Sequence, residues 1–250
     1  MERVYAPVIG LFKTVFRAQG LKFTIVGEDH VPLQGGAVMA INHTSYFDFT
    51  YAGLGAQKSR RYVRFMAKQS IFQHRIAGPL MRGMKHIPVD RKNGAASYRE
   101  ALNALKSGEI VGVFPEATMS RSFELKEFKS GAARMARDAG VPILPTTLWG
   151  AHRVWTKDAP KHRGRSRIPI FIEIGEPIWV PRGSNVDEAT AQVKAAMRTQ
   201  LDRQQLAYPT LTGEDLRFLP ARLGGRAPTP EEAHEFDLRD MSRTHDEFNS

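Results

Sequence analysis

The stretch GGAVMAINHTSYFDFT, Gly35–Thr50, contains an apolar run that ends abruptly at a polar cluster. The run is short and continuous and follows two glycines, which predicts a buried strand over Ala37–Asn42. The polar cluster places His43 and Asp48 five positions apart, and the sequence from Phe47 onward favours a helix. The stretch therefore predicts a strand, a polar turn and a helix in succession.

Strand and helix patterns alternate along the chain on both sides of this stretch. Such alternation predicts an α/β fold, with a central mostly parallel or mixed sheet flanked by helices. The chain has 250 residues and 42% hydrophobic content, which is enough for one large core and predicts a single domain. The predicted strands are 22–28, 37–42, 61–68, 85–91, 109–117, 142–150 and 168–180, and the predicted helices are 47–56, 70–84, 95–108, 130–140 and 185–207.

The two ends of the chain differ from the part between them. In residues 1–20 apolar side chains recur with a 3.6-residue period, while Lys13 and Arg17 lie on the other side, which predicts an amphipathic helix. Its apolar stripe either packs on the protein's own core or contacts a lipid interface. Residues 21–207 form the predicted domain. Residues 208–250 are rich in Pro, Gly and charge, so we expect them to wrap loosely over the surface or to be partly disordered.

Charge is distributed unevenly, because residues 1–207 carry a net +14 and residues 208–250 a net −4. A body this basic favours an anionic partner. Basic residues concentrate in Gln57–Lys68 and Lys161–Arg167, where a solvated surface and a phosphate or membrane-surface contact both stay open. The chain has no zinc-finger spacing, aromatic RNA-binding block or basic heptad region, so nucleic acid is not an expected partner.

Several classes of site are excluded by residues that the sequence lacks. It has no cysteine, which removes disulfides, thiolate metal ligands and a cysteine nucleophile, and which fits a reducing compartment. The histidine spacings match no metal-binding motif, so no metal site is expected. No segment has the roughly 18–20 continuous apolar residues of a membrane-spanning helix. The N-terminal segment is a poor secretion signal, and we expect a cytoplasmic location.

Four predicted strands end in the polar clusters NHTSYFD, PVDR, FPEATMSRS and PTTLWGAH. Ligands bind beyond the carboxyl ends of the strands in sheets of this type, so we expect one cleft to gather the clusters. In the first cluster, a carboxylate that orients His43 makes its imidazole a suitable general base. Ser45 and Asp48 equally fit a capping box, in which Asp48 only satisfies amides at a helix start. Spacing alone leaves both interpretations open.

The four clusters occur in the order and at the separations typical of the glycerolipid acyltransferase family. This sequence resembles that family over about Leu21–Pro177, and most closely the 1-acyl-sn-glycerol-3-phosphate acyltransferases. The family block N-H-x-S/T-x-x-D is matched by Asn42–Asp48, and its apolar-Asp-Arg block by Val89–Arg91. The block F-P-E-G-T-R-S corresponds to Phe114–Ser120, and the apolar-Pro-Ile-x-Pro block to Val141–Pro145.

The resemblance implies roles for the matching residues. His43 is expected to be the catalytic base and Asp48 the carboxylate that orients it. Arg91 is the first candidate to bind the phosphate of a lysophospholipid, because its planar fork suits bidentate contacts, and Lys68 is a second candidate. Glu116 is expected to bind hydroxyls of the acceptor or to order its loop, with an ion pair to an arginine as the alternative.

The third block also carries the departures from the family pattern. Thr118 is a further expected substrate contact, and backbone N–H groups of Phe114–Ser120 are expected to stabilise the oxyanion. Ala117 replaces the family's glycine, and Met119 replaces the arginine that the family links to the acceptor's phosphate. Either Arg121 reaches the same anion, or the acceptor carries a different head group.

The resemblance implies an acyltransferase that moves a long-chain fatty acyl group to the hydroxyl of lysophosphatidic acid, giving phosphatidic acid in phospholipid biosynthesis. The donor is acyl-CoA or acyl carrier protein, and no cofactor is expected. The basic body and the amphiphilic substrates suggest peripheral attachment to anionic lipids on the cytoplasmic side of the cell membrane. Two alternatives stay open, namely the same chemistry on another acceptor, such as a glycolipid or another lysophospholipid, and a non-enzymatic protein that binds anionic lipids.

Overall fold

The computed structural model describes residues 4–90, 94–162 and 164–249, with side chains up to residue 240. The strands are β1 Lys22–Val26, β2 Ala37–Ile41, β3 Val63–Lys68, β4 Ile87–Val89, β5 Ile110–Val113, β6 Ile143–Trp149 and β7 Pro169–Ile174. The α-helices are α1 Tyr5–Gln19, α2 Asp48–Gly55, α3 Gln69–Gln73, α4 Ala77–Gly83, α5 Gly94–Lys106, α6 Gly131–Ala139, α7 Val186–Ala207 and α8 Pro230–Asn249. Short 3₁₀ helices lie at Glu28–His30, Ala151–Arg153, Gly213–Phe218 and Ala221–Leu223.

The strands form one sheet in the order β1-β7-β6-β2-β5-β3-β4. Every neighbouring pair is parallel except β6 and β7, which run antiparallel. The predicted α/β fold with a mostly parallel, mixed sheet is therefore confirmed. Because β2 to β6 are mutually parallel, their carboxyl ends lie at one edge of the sheet, and the four polar clusters follow strands that end there.

Strand β2 is fully buried because it lies in the middle of the sheet. Val38 and Ala40 join the core on one face, and the other three residues join the core on the opposite face. A strand that contacts two cores needs apolar residues at every position, which explains why its sequence shows no alternation. Each fully buried Val, Ile or Met side chain contributes about 1.5–3 kcal/mol, so β2 anchors the residues that follow it.

The predicted helix over 70–84 is wrong as a single element, because the chain breaks at His74 between α3 and α4. Nδ1 of His74 accepts a hydrogen bond of 3.3 Å from the backbone N–H of Ala77, the first residue of α4. At Gly78 the backbone approaches the carbonyl of Phe72 so closely that a Cβ atom would lie 2.2 Å from its oxygen. The apolar period continues through this stretch, but the turn needs glycine at the close approach.

The expectation of a loosely attached C-terminal segment is wrong for residues 208–227. Tyr208, Leu211 and Phe218 are buried in the core that α7 covers, and the Tyr208 hydroxyl donates to the carbonyl of Pro169 at 2.9 Å. A few apolar residues that each fit a site on the domain are enough to hold an otherwise polar segment. The chain then forms α8, of which only Ala233 is buried among the described side chains.

Helix α1 buries part of its apolar stripe against the domain, while contact of the rest with lipid stays a prediction. Tyr5 and Phe16 are buried against the domain, whereas Leu11 is 65% exposed and Val15 42% exposed. The helix ends at Gly20, whose φ of 68° is the left-handed conformation common after the last helical residue. In the part of the chain that the structure describes, no helix has both the length and the apolar character needed to cross a bilayer.

Candidate functional site

His43 and Asp48 contact each other in the turn between β2 and α2. Nδ1 of His43 lies 3.0 Å from Oδ2 of Asp48. The same carboxylate oxygen accepts the backbone N–H groups of Thr44 and Ser45, each at 2.7 Å. Asp48, the first residue of α2, therefore both satisfies two amides of the turn that precedes the helix and contacts the imidazole.

Asp48 lies in an environment that disfavours its charge unless N–H donors surround it. Its side chain is fully buried, and this burial raises the pKa of the carboxyl, whereas the hydrogen bonds from His43, Ser45 and Thr44 act in the opposite direction. Three donors converge on one oxygen, an arrangement that stabilises the carboxylate form. Loss of the negative charge would leave those donors without their common acceptor.

The geometry assigns a definite orientation to the ring of His43. Because Asp48 accepts, the proton of the neutral imidazole is assigned to Nδ1, which leaves Nε2 as a hydrogen-bond acceptor. Nε2 has no hydrogen-bond partner among the described residues, and the His43 side chain is 22% exposed. The ring stacks on Phe114 with centroids 4.3 Å apart. His43 thus presents a basic nitrogen outward at the carboxyl end of β2.

Glu116 fixes the main chain of His43 rather than facing outward. It is buried, and its Oε1 accepts the N–H of His43 at 2.8 Å while its Oε2 accepts the N–H of Lys126 at 3.0 Å. The carbonyl of His43 in turn accepts the N–H of Ser120 at 2.7 Å. Of the roles expected for Glu116, loop ordering fits these contacts, because both carboxylate oxygens are engaged and no arginine pairs with it among the described residues.

The protein's stability is expected to depend on pH through Glu116. Burial is the main cause that raises the pKa of its carboxyl from 4.5 to about 7, although the amides of Lys126 and His43 oppose the shift. The folded state then holds a proton that the unfolded chain has already released, so the free energy of unfolding falls as pH rises from 4.5 to about 7. Over this pH range we expect the free energy of unfolding to fall by about 3 kcal/mol more in the wild type than in Glu116→Gln. Urea unfolding at a series of pH values measures the difference. An equal difference between the two proteins at every pH would contradict this.

The turn of the third block contains a non-glycine residue in the left-handed region. Ala117 has φ of 61°, and its N–H donates to the carbonyl of Phe114 at 3.0 Å. The amides of Thr118 and Ser120 are likewise engaged, with Glu116 and His43. Three of the expected oxyanion donors are therefore used within the protein, and the oxyanion role stays a prediction for the other amides of the turn.

Replacing Ala117 with glycine is expected to stabilise the protein by about 1 kcal/mol, because an alanine pays that order of strain at positive φ. Ala117 is exposed, so the substitution removes no packing. The free energy of unfolding in urea measures the effect. Ala195→Gly is the matched control, since Ala195 is exposed in the middle of α7 and glycine there costs roughly 1 kcal/mol. The two substitutions should shift stability in opposite directions.

Met119 packs inward, beneath the histidine turn. It is 4% exposed, and its sulfur lies 3.5 Å from Oγ1 of Thr156. That hydroxyl donates to the carbonyl of Thr44 at 2.7 Å. The side chain at this position is part of the support of the turn and is not directed at the cleft.

The remaining predicted substrate contacts have different surroundings. Lys68 is exposed at the end of β3, paired in register with Val89 of β4, so the second block reaches the same edge of the sheet. Arg91 lies outside the described residues. The hydroxyl of Thr118 accepts from Nζ of Lys126 at 2.7 Å. Lys68 is thus the described candidate that presents its charge to solvent at the sheet edge.

Arg121, which the sequence offers as one alternative to the family's arginine, is engaged by carboxylates in this structure. Its side chain is 7% exposed and pairs with Asp158 at 2.6 Å, with Asp240 at 2.6 Å and with Asp237. Three carboxylates therefore occupy the guanidinium in this structure. The sequence held one signal for this contact, because the C-terminal segment is acidic whereas the body is basic.

Asn42 is a supporting residue to which the sequence assigned no function. Its side chain donates to the carbonyl of Leu148 at 3.1 Å and accepts the N–H of Leu148 at 2.7 Å. Asn42 thereby joins the end of β2 to β6 and fixes the point from which His43 projects. Its place beside His43 in the first block was the available clue.

A small apolar cavity of about 40 Å³ lies between α1 and α2. An engineered cavity of roughly 150 Å³ holds a benzene molecule, so this space cannot take a long acyl chain without movement of α1. Its lining is almost entirely apolar and includes Phe12, Phe16, Phe49, Leu54 and Phe65.

The chain is similar to known proteins in sequence and in fold. Residues 22–149, just over half of the chain, match the family model described as Acyltransferase. The chain is 32% identical over 127 residues to a 1-acyl-sn-glycerol-3-phosphate acyltransferase of Bacillus subtilis, covering 50% of this chain and 62% of that protein. It is 33% identical over 159 residues to a probable 1-acyl-sn-glycerol-3-phosphate acyltransferase of Mycoplasma pneumoniae, covering 59% of each. The chain thus spans about three fifths of the length of these curated relatives.

A solved structure has the same fold. The 1-acyl-sn-glycerophosphate (LPA) acyltransferase of Thermotoga maritima superposes with a TM-score of 0.68 at 21% sequence identity, covering 82% of this chain and 81% of that one. At this identity the likeness establishes the fold alone. The match of the family model over residues 22–149, which is more than half of the chain, shows that this chain belongs to the acyltransferase family.

Proposed function

We propose that the protein is an O-acyltransferase that moves a long-chain fatty acyl group from acyl-CoA or acyl carrier protein to the hydroxyl of lysophosphatidic acid, giving phosphatidic acid. The observation that carries the proposal is the imidazole of His43, held 3.0 Å from the buried carboxylate of Asp48 with Nε2 facing away from it. This arrangement suits the removal of a proton from an incoming hydroxyl near pH 7.

The reaction needs no nucleophile from the protein. Nε2 of His43 takes the proton of the acceptor's hydroxyl while the oxygen attacks the thioester carbon. The tetrahedral intermediate then collapses, the carbon–sulfur bond breaks, and the imidazolium gives its proton to the departing thiolate. Asp48 stabilises the imidazolium between the two steps. Because the acceptor's oxygen attacks directly, no covalent acyl-enzyme forms.

Two observations support lysophosphatidic acid as the acceptor. The relatives from Bacillus subtilis and Mycoplasma pneumoniae are named for acylation of 1-acyl-sn-glycerol 3-phosphate. Lys68 projects an exposed charge at the sheet edge that His43 also occupies. A cation at this edge suits a phosphate monoester, and Arg91 follows Val89, the last residue of β4, by two positions in the sequence. We also propose that the reaction uses neither a cofactor nor a metal.

A second candidate keeps the chemistry but changes the acceptor. Met119 stands where the family pattern has arginine, and it is buried against Thr156. A site without that charge favours an acceptor with an uncharged head group, such as a glycolipid. Comparing lysophosphatidate with monoacylglycerol and a mannosylated lipid as acceptors separates the two candidates.

The decisive experiment measures thiol release from acyl-CoA when lysophosphatidate is added. The chain contains no cysteine, so the protein itself gives no background with a thiol reagent. Acceptor-dependent thiol release together with formation of phosphatidate supports the proposal. Binding of lipid without any thiol release, from acyl-CoA or from acyl carrier protein, would instead favour the non-enzymatic lipid-binding alternative.

We further propose that the protein attaches peripherally to anionic lipids on the cytoplasmic side of the membrane. Leu11 and Val15 of α1 are exposed apolar side chains. Two residues of the basic run, residues 161–167, lie next to the C-terminal end of this helix. The Cγ atoms of Arg165 and Arg167 are 3.4 Å from the position that a Cβ on Gly20 would take. Exposed apolar residues beside basic ones suit a charged lipid interface.

Arg165→Gln combined with Arg167→Gln is expected to weaken binding to vesicles that contain anionic lipid by about tenfold or more, because each charge near such a surface contributes roughly 1 kcal/mol. Vesicle co-sedimentation at fixed ionic strength measures the effect. Arg217→Gln with Arg226→Gln removes two exposed charges elsewhere and serves as the control. Unchanged binding of the first variant would mean that the basic run is only a solvated surface.

A further inference from the structure

Three cations converge beside the histidine turn and form what is here named the basic cluster, which consists of Arg121, Lys126 and Lys157. Their charges are compensated mainly from α8. Asp240 lies 2.6 Å from Arg121 and 3.5 Å from Lys157, and Asp237 contacts all three members. This ion network joins the C-terminal helix to the part of the domain that holds the candidate site.

Each member of the basic cluster is tied to the main chain of the histidine turn. Arg121 follows Ser120, whose N–H donates to the carbonyl of His43. The backbone N–H of Lys126 donates to Glu116, which also binds the N–H of His43. Lys157 follows a threonine whose hydroxyl donates to the carbonyl of Thr44. The cluster is therefore positioned by the same network of contacts that positions His43.

Burial makes an anion necessary at this cluster. The side chain of Arg121 is 7% exposed and that of Asp237 is 12% exposed. A guanidinium buried to this extent needs paired acceptors, because an unpaired buried charge is strongly destabilising. Without the two α8 carboxylates, the ion-pair partner left to Arg121 among the described residues is Asp158, whose side chain is 71% exposed.

The charges of the cluster match those of a phosphate monoester. Three cations face three carboxylates, so displacement of Asp237 and Asp240 leaves a net charge of +2 at the cluster. A phosphate monoester carries about −1.5 to −2 at neutral pH and offers three acceptor oxygens. It can replace the two carboxylates in charge and in hydrogen bonds to Arg121.

Helix α8 is attached in a way that allows such a displacement. Among its side chains that the structure describes, only Ala233 is buried, while Phe236 is 40% exposed and Leu238 52% exposed. Little apolar area is buried there, so the attachment of the helix depends strongly on its ion pairs. An anion that competes for the basic cluster would release the segment that carries Asp237 and Asp240.

We propose that the basic cluster is a binding site for a phosphate monoester, and that Asp237 and Asp240 are built-in competitors that occupy it in this structure. The ligand is the phosphate of the lipid acceptor or a free phosphate ester of the same chemistry. Anion binding does not depend on the proposed function, whereas the acceptor's use of the site rests on it. Binding requires α8 to move away from the cluster.

The test compares Asp237→Asn/Asp240→Asn with the wild-type protein. Asparagine keeps the size of each side chain but removes the competing charge. Glu231→Gln/Glu235→Gln is the matched control, because it removes the same charge from α8 at side chains outside the ion pairs of the cluster. Calorimetric titration with glycerol 3-phosphate should show affinity raised about tenfold in the first variant and unchanged in the control. Equal affinity in all three proteins would overturn the proposal.

Acyl transfer distinguishes the two sources of phosphate. If the acceptor uses the cluster, the Asp237→Asn/Asp240→Asn variant should have a KM about tenfold lower for lysophosphatidate and an unchanged KM for monoacylglycerol. A gain in glycerol 3-phosphate affinity without a change in KM would overturn the acceptor role. If no acceptor is turned over by any variant, the proposed function fails, and the calorimetric result still decides the anion site. If the double variant does not fold, Asp240→Asn alone replaces it in the test. The side chain of Asp240 is 48% exposed, and this single variant should show a smaller gain in affinity.

Discussion

The variant His43→Ala is expected to turn over at least about 100-fold more slowly than the wild-type protein, which is the typical loss when a general base is removed. The substitution removes Nε2, the basic nitrogen that faces away from Asp48. It leaves Asp48 with the amides of Thr44 and Ser45 as hydrogen-bond donors, so the turn keeps most of its contacts. Thiol release from acyl-CoA under saturating acceptor measures the loss.

The fold of this variant should survive, because the main-chain contacts of residue 43 with Glu116 and Ser120 do not involve the imidazole. Urea unfolding checks this independently of turnover. His74→Ala is the matched control, since His74 is an exposed histidine between α3 and α4. Equal turnover in the wild type and in His43→Ala would remove the imidazole from the mechanism.

The variant Asp48→Asn is expected to lower turnover by roughly 10³-fold or more, as in other sites where a carboxylate fixes a histidine tautomer. In the wild type, three N–H donors share one carboxylate oxygen of Asp48. An asparagine presents either its N–H₂ group or its single carbonyl oxygen to those donors. If the N–H₂ group faces His43, Nδ1 becomes the acceptor and the proton moves to Nε2. The ring can then no longer take a proton from the acceptor's hydroxyl.

A purely structural role for Asp48 predicts a different result. Loss of a helix-capping contact alone costs about 1 kcal/mol of stability and leaves the turnover of the folded protein unchanged. Turnover and the free energy of unfolding are therefore measured on the same preparation, well below the unfolding temperature. A stability loss without a rate loss would identify Asp48 as a cap only.

The sequence predicted those parts of the fold that local pattern controls. Strand β2 and helix α2 could be read from one stretch, because a continuous apolar run and a polar turn are both local features. The break between α3 and α4 was missed because it depends on how closely the backbone at Gly78 approaches Phe72. The packing of residues 208–227 was missed because its few apolar contacts reach a core that the sequence does not show.

The candidate site divides in the same way. His43 and Asp48 lie five positions apart, so their proximity could be predicted from the sequence, whereas the orienting role of Asp48 came from the resemblance to the family. The role of Glu116 is different in kind, because its carboxylate accepts a hydrogen bond from a backbone amide 73 positions away, and side-chain patterns do not reveal such bonds. The surroundings of Arg121 depend on where α8 lies, more than 100 positions further along the chain. The sequence therefore did not predict the contacts that depend on residues far apart in the chain, even where the residue types were suitable.

The way in which His43 is held has a consequence for local motion. Its N–H is bound by a buried carboxylate and its carbonyl by the amide of Ser120, at the end of a fully buried central strand. Exchange of the amide hydrogens of His43 and Ser120 then requires opening of the sheet itself. Amides of α8, in contrast, exchange after loss of a few ion pairs. The proposed proton transfer would thus take place on a segment that opens slowly, next to a helix that opens more easily.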